Sequence, residues 1–96
     1  MAKRKIVLPK SFERAYIKFV NKRPILKTAI QKSILLLEED ALRQKLKTHK
    51  LSGNLFGLFD CSCGYDCRII FSFEINAETN EEEILLIDLG IHDEVY

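Results

Sequence analysis

Helix-type and strand-type apolar patterns occupy separate halves of this 96-residue chain, and their separation strongly constrains the fold. Between residues 10 and 40, apolar residues recur at spacings of three and four, which is typical of helices with one buried face. From residue 55 onward, runs rich in β-branched and aromatic residues are typical of strands. A chain of this length builds one core, so we expect a single domain over residues 1–96.

The predicted elements follow the order β-α-α-β-β-β. Residues 5–8 form the first strand, which ends at Pro9, while Ser11 is placed to cap the first helix and Pro24 to begin the second. Residues 41–54 are interpreted as a basic, irregular connection. The remaining strands are predicted at residues 55–59, 66–75 and 84–89. We therefore expect an α+β fold, with a helical hairpin packed on a mostly antiparallel four-stranded sheet whose first strand pairs non-locally.

Charge is divided along the chain. Residues 1–50 carry 14 Lys and Arg against 4 Asp and Glu, a net charge of +10, and residues 51–96 carry 1 against 10, a net charge of −9. This polarity suits a polyanion or an acidic protein partner, although solvated helix faces also carry many charges. The longest apolar run, residues 34–37, is far below the roughly 20 residues that cross a bilayer, and no secretory signal is recognised. We expect a cytoplasmic protein with no membrane partner.

Three cysteines, Cys61, Cys63 and Cys67, lie within seven residues. Their odd number, in a chain without a recognised signal peptide, argues against a disulfide framework. A closed zinc site needs four ligands, and no fourth Cys or His lies nearby. We therefore expect free thiols packed as small hydrophobic side chains, with no metal and no cofactor.

Two histidines are candidates for proton transfer, because histidine changes charge near neutral pH. His49 lies in the basic connection with Lys47 and Lys50, and His92 directly follows the last predicted strand. The simpler interpretation is that both are polar surface residues.

Strand alternation adds a charged pair. Asp66 and Arg68 share one face of the predicted strand, opposite the apolar face of Ile69 and Phe71. The planar guanidinium of Arg68 suits a phosphate group, although the pair also fits a surface salt bridge of little energetic weight.

Together these residues suit cleavage of RNA, which carries its own nucleophile in the 2′-OH and needs no metal. The protein must orient that oxygen, stabilise charge on the phosphate and protonate the leaving 5′-oxygen. Arg68, Lys47 and Lys50 supply positive charge, His92 a proton, and Tyr96 a ring that stacks on a base.

These segments and their spacing resemble the RelE/ParE toxin superfamily, and within it the YafQ-like branch of type II toxin–antitoxin systems. The resemblance covers nearly the whole chain in element order. It is carried by residues 49–53, Gly57, residues 66–71 and residues 90–96.

The resemblance implies a ribosome-dependent mRNA endonuclease that inhibits translation by metal-independent acid–base cleavage. It also implies a cognate antitoxin, joined with the toxin in a hetero-oligomer. By position, the polar catalytic residues of the branch correspond to His49, Asp66 and His92. Its terminal aromatic residue corresponds to Tyr96, and the active-site arginine of RelE-like sequences to Arg68. The chain departs from the branch at Ser62, where a histidine is usual, and at Asp88, where an arginine is usual.

Two other functions remain open. A ParE-like protein inhibits gyrase by binding, without hydrolysis, and a catalytically decayed toxin would explain Ser62 and Asp88. Two histidines near a basic loop favour the nuclease, because a protein that only binds needs no proton donor.

Overall fold

The computed structural model describes residues 3–64 and 66–91 and confirms the α+β class, with two helices packed on one sheet. Short 3₁₀ turns lie in the connections. The helices and strands are β1 (Lys5–Val7), α1 (Lys10–Lys22), α2 (Lys27–Glu39), β2 (His49–Lys50), β3 (Phe59–Ser62), β4 (Cys67–Ile75) and β5 (Glu82–Ile91).

The sheet has the strand order β1-β5-β4-β3-β2. The predicted non-local pairing of the first strand is confirmed, because β1 lies parallel to β5 with Lys5 opposite Glu83. The other pairings are antiparallel. Within the described residues the sheet has five strands rather than the predicted four, because His49 and Lys50 pair with β3 at the edge.

The strand predicted at residues 55–59 is wrong over most of its length. Gly53 and Gly57 adopt left-handed backbone angles, with φ of +65° and +92°, and they turn the chain between β2 and β3. Leu51 N donates to the carbonyl of Leu58 at 3.0 Å, which closes this turn. The apolar run therefore lies in a loop, and Phe56 is 85% exposed.

Both predicted helices are present, but their starts differ from the predictions. Helix α1 begins at Lys10 after Pro9, so Ser11 lies inside the first turn and gives no side-chain cap. Pro24 opens a 3₁₀ turn, and α2 begins at Lys27. Within the described part of the chain, neither helix is long and apolar enough to cross a membrane.

The core lies between the helices and one face of the sheet. The predicted apolar face of β4 is confirmed, because Cys67, Ile69 and Phe71 are fully buried. They pack in a cluster that includes Phe12 and Phe19 of α1, Ile30 and Leu37 of α2, and Ile84 and Leu86 of β5. Each large side chain buried in this way contributes about 1.5–3 kcal/mol. This packing fixes the strands whose opposite face carries Arg68.

The expectation of three free thiols is wrong for two of them. Cys63 and Cys67 form a disulfide with Cα atoms 5.0 Å apart, whereas Cys61 is free and buried. The hairpin turn between β3 and β4 brings the two strand ends together at a separation typical of disulfides. An odd number of cysteines requires only that one stays unpaired, and the hairpin register decides which one.

Candidate active site

A buried carboxylate lies at the centre of the candidate site. Asp60 on β3 is 1% exposed, and the register places it opposite His49 on β2 and Ile70 on β4. His49 Nε2 lies 2.9 Å from Asp60 Oδ1, and Arg68 Nε lies 3.9 Å from Asp60 Oδ2. Three neighbouring strands thus bring two basic side chains to one acid.

Strand alternation explains this convergence. Phe59 and Cys61 point towards the core, so Asp60 between them points to the other face of the sheet. Residues directly opposite each other in antiparallel strands place their side chains on the same face, which puts His49 beside Asp60. Arg68 precedes Ile70 by two residues and therefore shares this face.

The segment before His49 is anchored locally. Leu46 is buried, and the hydroxyl of Thr48 donates to the carbonyl of Ala41 at 2.7 Å. Lys47 has a left-handed backbone with φ of +51°, which turns the chain into β2. These contacts hold the histidine at the edge of the sheet although β2 has only two residues.

Both ring nitrogens of His49 face acceptors. Nδ1 lies 2.8 Å from the carbonyl oxygen of Lys47, and Nε2 faces the carboxylate of Asp60. Protein oxygens thus lie close to both ring nitrogens, although 57% of the side chain is exposed.

The charge of Asp60 also acts on its neighbour in the core. Burial raises the pKa of the Cys61 thiol to about 12, with the Asp60 carboxylate adding to the rise and Arg68 opposing it. Cys61 therefore remains a neutral thiol near neutral pH. Because the thiolate is the nucleophilic form, Cys61 is excluded as a catalytic nucleophile.

Asp66 does not start a strand as predicted. It stands one residue before β4 in a turn, with φ of +54°, and its side chain is exposed. It lines a groove of about 470 Å³ together with the connection between the helices and Ile91. The carboxylate that the structure places beside Arg68 is Asp60, because the turn at Asp66 interrupts the alternation assumed for the strand.

The other predicted residues surround this cluster. Lys47 and Lys50 are exposed on either side of His49. Ser62 lies opposite Arg68, and Asp88 lies opposite Ile70 in the row that contains Asp60. Both departures from the family pattern therefore occupy strand positions paired with β4.

His92 and Tyr96 lie outside the described residues. The last described residue, Ile91, pairs with Cys67, the first residue of β4. The end of β5 is therefore adjacent to the turn that contains Asp66.

Sequence reasoning missed Asp60, although a signal for it was present. A single acid in the alternating segment Phe59-Asp60-Cys61-Ser62 points away from the core residues that flank it. The incorrect strand at residues 55–59 hid this alternation, because it ended one residue before Asp60.

Solved structures of YafQ and of a YoeB/ParE toxin share the fold. YafQ from E. coli BL21(DE3) superposes with a TM-score of 0.73 at 18% identity, covering 98% of this chain and 99% of that chain. The toxin of the E. coli DinJ–YafQ toxin–antitoxin complex has a TM-score of 0.71 at 18% identity, with 99% coverage of both chains. A YoeB/ParE toxin from Agrobacterium tumefaciens has a TM-score of 0.71 at 16% identity, covering 92% of this chain and 98% of that one.

The solved structures show the fold, and a match to a family model shows the family. No curated protein matches the sequence. The model described as "Bacterial toxin of type II toxin-antitoxin system, YafQ" matches residues 4–96, which is nearly the whole chain. The chain therefore belongs to the YafQ family of bacterial toxins of type II toxin–antitoxin systems.

Proposed function

We propose that this toxin is an endoribonuclease that inhibits translation by cleaving mRNA on the ribosome. The observation that carries the proposal is the convergence of His49 and Arg68 on the buried carboxylate of Asp60. It holds two basic side chains on one face of the sheet, and exposed Lys47 and Lys50 lie beside them. A polyanionic substrate suits such a surface.

RNA cleavage removes one proton from the attacking 2′-OH and adds one proton to the leaving 5′-oxygen. The RNA 2′-OH loses a proton and its oxygen attacks the neighbouring phosphorus, while the bond from phosphorus to the 5′-oxygen breaks. The products are a 2′,3′-cyclic phosphate and a 5′-OH, which receives the second proton. The protein must therefore supply positive charge at the phosphate, a proton acceptor and a proton donor.

Arg68 supplies the positive charge in this proposal, and His49 binds the phosphate beside it. A guanidinium donates two parallel hydrogen bonds to phosphate oxygens. Protein oxygens lie 2.8 and 2.9 Å from the two ring nitrogens of His49, and this supports a role in holding the phosphate over a role as the base. Asp60 is a positioning residue, because it is too deeply buried to touch RNA and acts through the two side chains that it holds.

Asp66 and His92 take the proton-transfer roles. Asp66 is an exposed carboxylate two residues from Arg68, and we assign it as acceptor of the 2′-OH proton. His92 directly follows Ile91, which pairs with Cys67 beside that turn, and this adjacency supports His92 as the donor to the 5′-oxygen. Tyr96 stacks on a base of the mRNA in this scheme.

We also infer a cognate antitoxin with an acidic binding segment. The E. coli and Staphylococcus aureus structures with this fold include a DinJ–YafQ and a YoeB–YefM complex. Arg14, Lys18 and Lys22 are exposed on α1, and Lys27 and Lys32 are exposed on α2. An acidic amphipathic helix that folds on binding complements this surface.

Primer extension tests the nuclease directly. Purified toxin is added to ribosomes translating a defined mRNA, and new 5′ ends within the reading frame are expected with wild type. Arg68→Ala is expected to lose these ends, whereas Lys10→Ala, on the exposed start of α1, serves as a matched control for loss of one positive charge. Intact mRNA with folded wild type, together with loss of DNA supercoiling by gyrase, would replace the nuclease with a gyrase inhibitor.

A further inference from the structure

The disulfide closes the hairpin that carries the candidate site. Cys63 follows β3 directly and Cys67 begins β4, with only three residues between them. Cys63 N also donates to the carbonyl of Cys67 at 2.9 Å, and both side chains are fully buried. The covalent bond and the backbone pairing therefore close the hairpin at the same point.

This point lies next to the residues that carry charge. Cys67 stands between Asp66 and Arg68, and Cys63 follows Ser62, which pairs with Arg68. Arg68 in turn lies 3.9 Å from Asp60 on the adjacent strand. A change in the link between the strand ends thus acts directly on the positions of Asp66 and Arg68.

The turn is also packed against a helix connection. Gly64 has φ of +122°, and a Cβ atom placed on it would lie 3.2 Å from Cδ2 of Leu26. Asp66 lines the groove that includes Leu26 and Ile91. The disulfide therefore keeps a tightly packed turn against the start of α2, and its reduction removes one restraint on this packing.

The third cysteine does not compete for the pair. Cys61 lies two residues before Cys63 on the same core-facing side of the hairpin, and it is fully buried. Burial raises the pKa of its thiol to about 12, so it lacks the thiolate that attacks disulfides. Cys63 and Cys67 therefore interconvert between a disulfide and a dithiol without exchange with Cys61.

We propose that Cys63 and Cys67 are a reversible redox couple, and that the disulfide form holds Asp66 and Arg68 in the arrangement needed for RNA cleavage. The activity part of this inference rests on the proposed function. The chemical partner is a low-molecular-weight disulfide such as oxidised glutathione. One protein thiolate attacks it and releases one glutathione thiolate, and the second protein thiolate displaces the other from the mixed disulfide.

The exchange balances in atoms and electrons. Two electrons pass from the protein sulfurs to the glutathione sulfurs, and the two protein protons are taken up by the released thiolates. A dithiol reductant such as dithiothreitol reverses the reaction. Because both sulfurs are buried, exchange requires opening of the turn, so we expect it to be slower in the folded protein than in urea.

The test compares wild type, Cys61→Ala and the double variant Cys63→Ser/Cys67→Ser. Each is treated with oxidised glutathione or with dithiothreitol and separated from the reagent by gel filtration. It is then denatured and alkylated with iodoacetamide, and its mass is measured by mass spectrometry. Wild type is expected to show one modified cysteine after glutathione disulfide and three after dithiothreitol. Three modified cysteines after both treatments would refute the couple.

The same samples, before denaturation, are assayed for cleavage of ribosome-bound mRNA. Reduction is expected to lower the cleavage rate of wild type and Cys61→Ala by about tenfold or more, since small misplacements of catalytic groups have effects of this size. The serine double variant should be slow and insensitive to either reagent. Equal cleavage by oxidised and reduced wild type would refute control by the disulfide, whereas no cleavage in either state would refute the proposed nuclease. The alkylation result tests the redox couple independently of the control by the disulfide and of the proposed nuclease activity.

Discussion

Removal of the His49 ring tests whether the contact with Asp60 stabilises the fold as well as the site. His49→Ala leaves the Asp60 carboxylate buried without the imidazole 2.9 Å away. Loss of one partner of a fully buried ion pair costs about 3–5 kcal/mol, whereas a contact between exposed charged side chains contributes about 0.2–1 kcal/mol. Because His49 is 57% exposed and Asp60 is buried, this contact lies between the two cases. We therefore expect His49→Ala to lower the free energy of unfolding by about 1–3 kcal/mol.

Asp60→Asn is the second single variant of a double-mutant cycle with His49→Ala. It removes the buried charge with little change of shape and leaves two basic side chains that are partly exposed, at 57% for His49 and 27% for Arg68. Its cost should be lower, about 0.5–1.5 kcal/mol, because the desolvation penalty of the carboxylate disappears with the charge. The double variant should be more stable than the sum of the two losses predicts, with a coupling energy of about 1–2 kcal/mol.

Urea unfolding followed by circular dichroism at pH 7 measures all four proteins. A loss of 1 kcal/mol lowers the Tm of a domain of this size by about 4–8 °C, so thermal melts give an independent check. Additive losses, within about 0.5 kcal/mol, would show that the two side chains do not interact and would refute the reasoning.

Four further predictions concern Cys61, the disulfide, His92 and the basic residues of α1. Between pH 9 and 12 the unfolded chain loses the Cys61 proton that the folded protein retains, so stability should fall by about 1 kcal/mol per pH unit relative to Cys61→Ala, measured by urea unfolding. Reduction of the disulfide, which closes a very short loop, should lower the free energy of unfolding by about 2 kcal/mol, and an unchanged midpoint in urea would contradict this. His92→Ala should slow mRNA cleavage by about a hundredfold to ten-thousandfold with an unchanged circular dichroism spectrum, and near-normal cleavage would remove His92 from the mechanism. Association with the cognate antitoxin should slow as salt increases, because exposed charges such as Arg14 and Lys18 mainly accelerate encounter, and stopped-flow rates that do not change with salt would exclude this steering.

Local patterns were sufficient for much of the architecture. Helical spacing predicted both helices, and alternation predicted the buried face of β4 at Ile69 and Phe71. The strand predicted at residues 55–59 failed because apolar content alone cannot show that Gly53 and Gly57 adopt left-handed angles. The two-residue strand β2 is too short to have a periodicity, and only its pairing with β3 defines it.

The candidate site was predicted only in part for a similar reason. His49 and Arg68 stand out by residue type, but the alternation of a strand starting at Asp66 predicts Asp66 as the acid beside Arg68. The acid that contacts Arg68 is Asp60, which lies eight residues away and becomes a neighbour through the register of β3 and β4.

The order of the two helices and of the long strands β4 and β5 follows from the sequence alone, because side-chain chemistry and its period are local properties. Which side chains meet depends on the tertiary structure. Strand register selected Asp60 for His49 and Arg68, and the hairpin turn selected Cys63 and Cys67 rather than Cys61 for the disulfide. Contacts between strands depend on how distant segments align, and a shift of one residue would place every side chain of a strand on the opposite face.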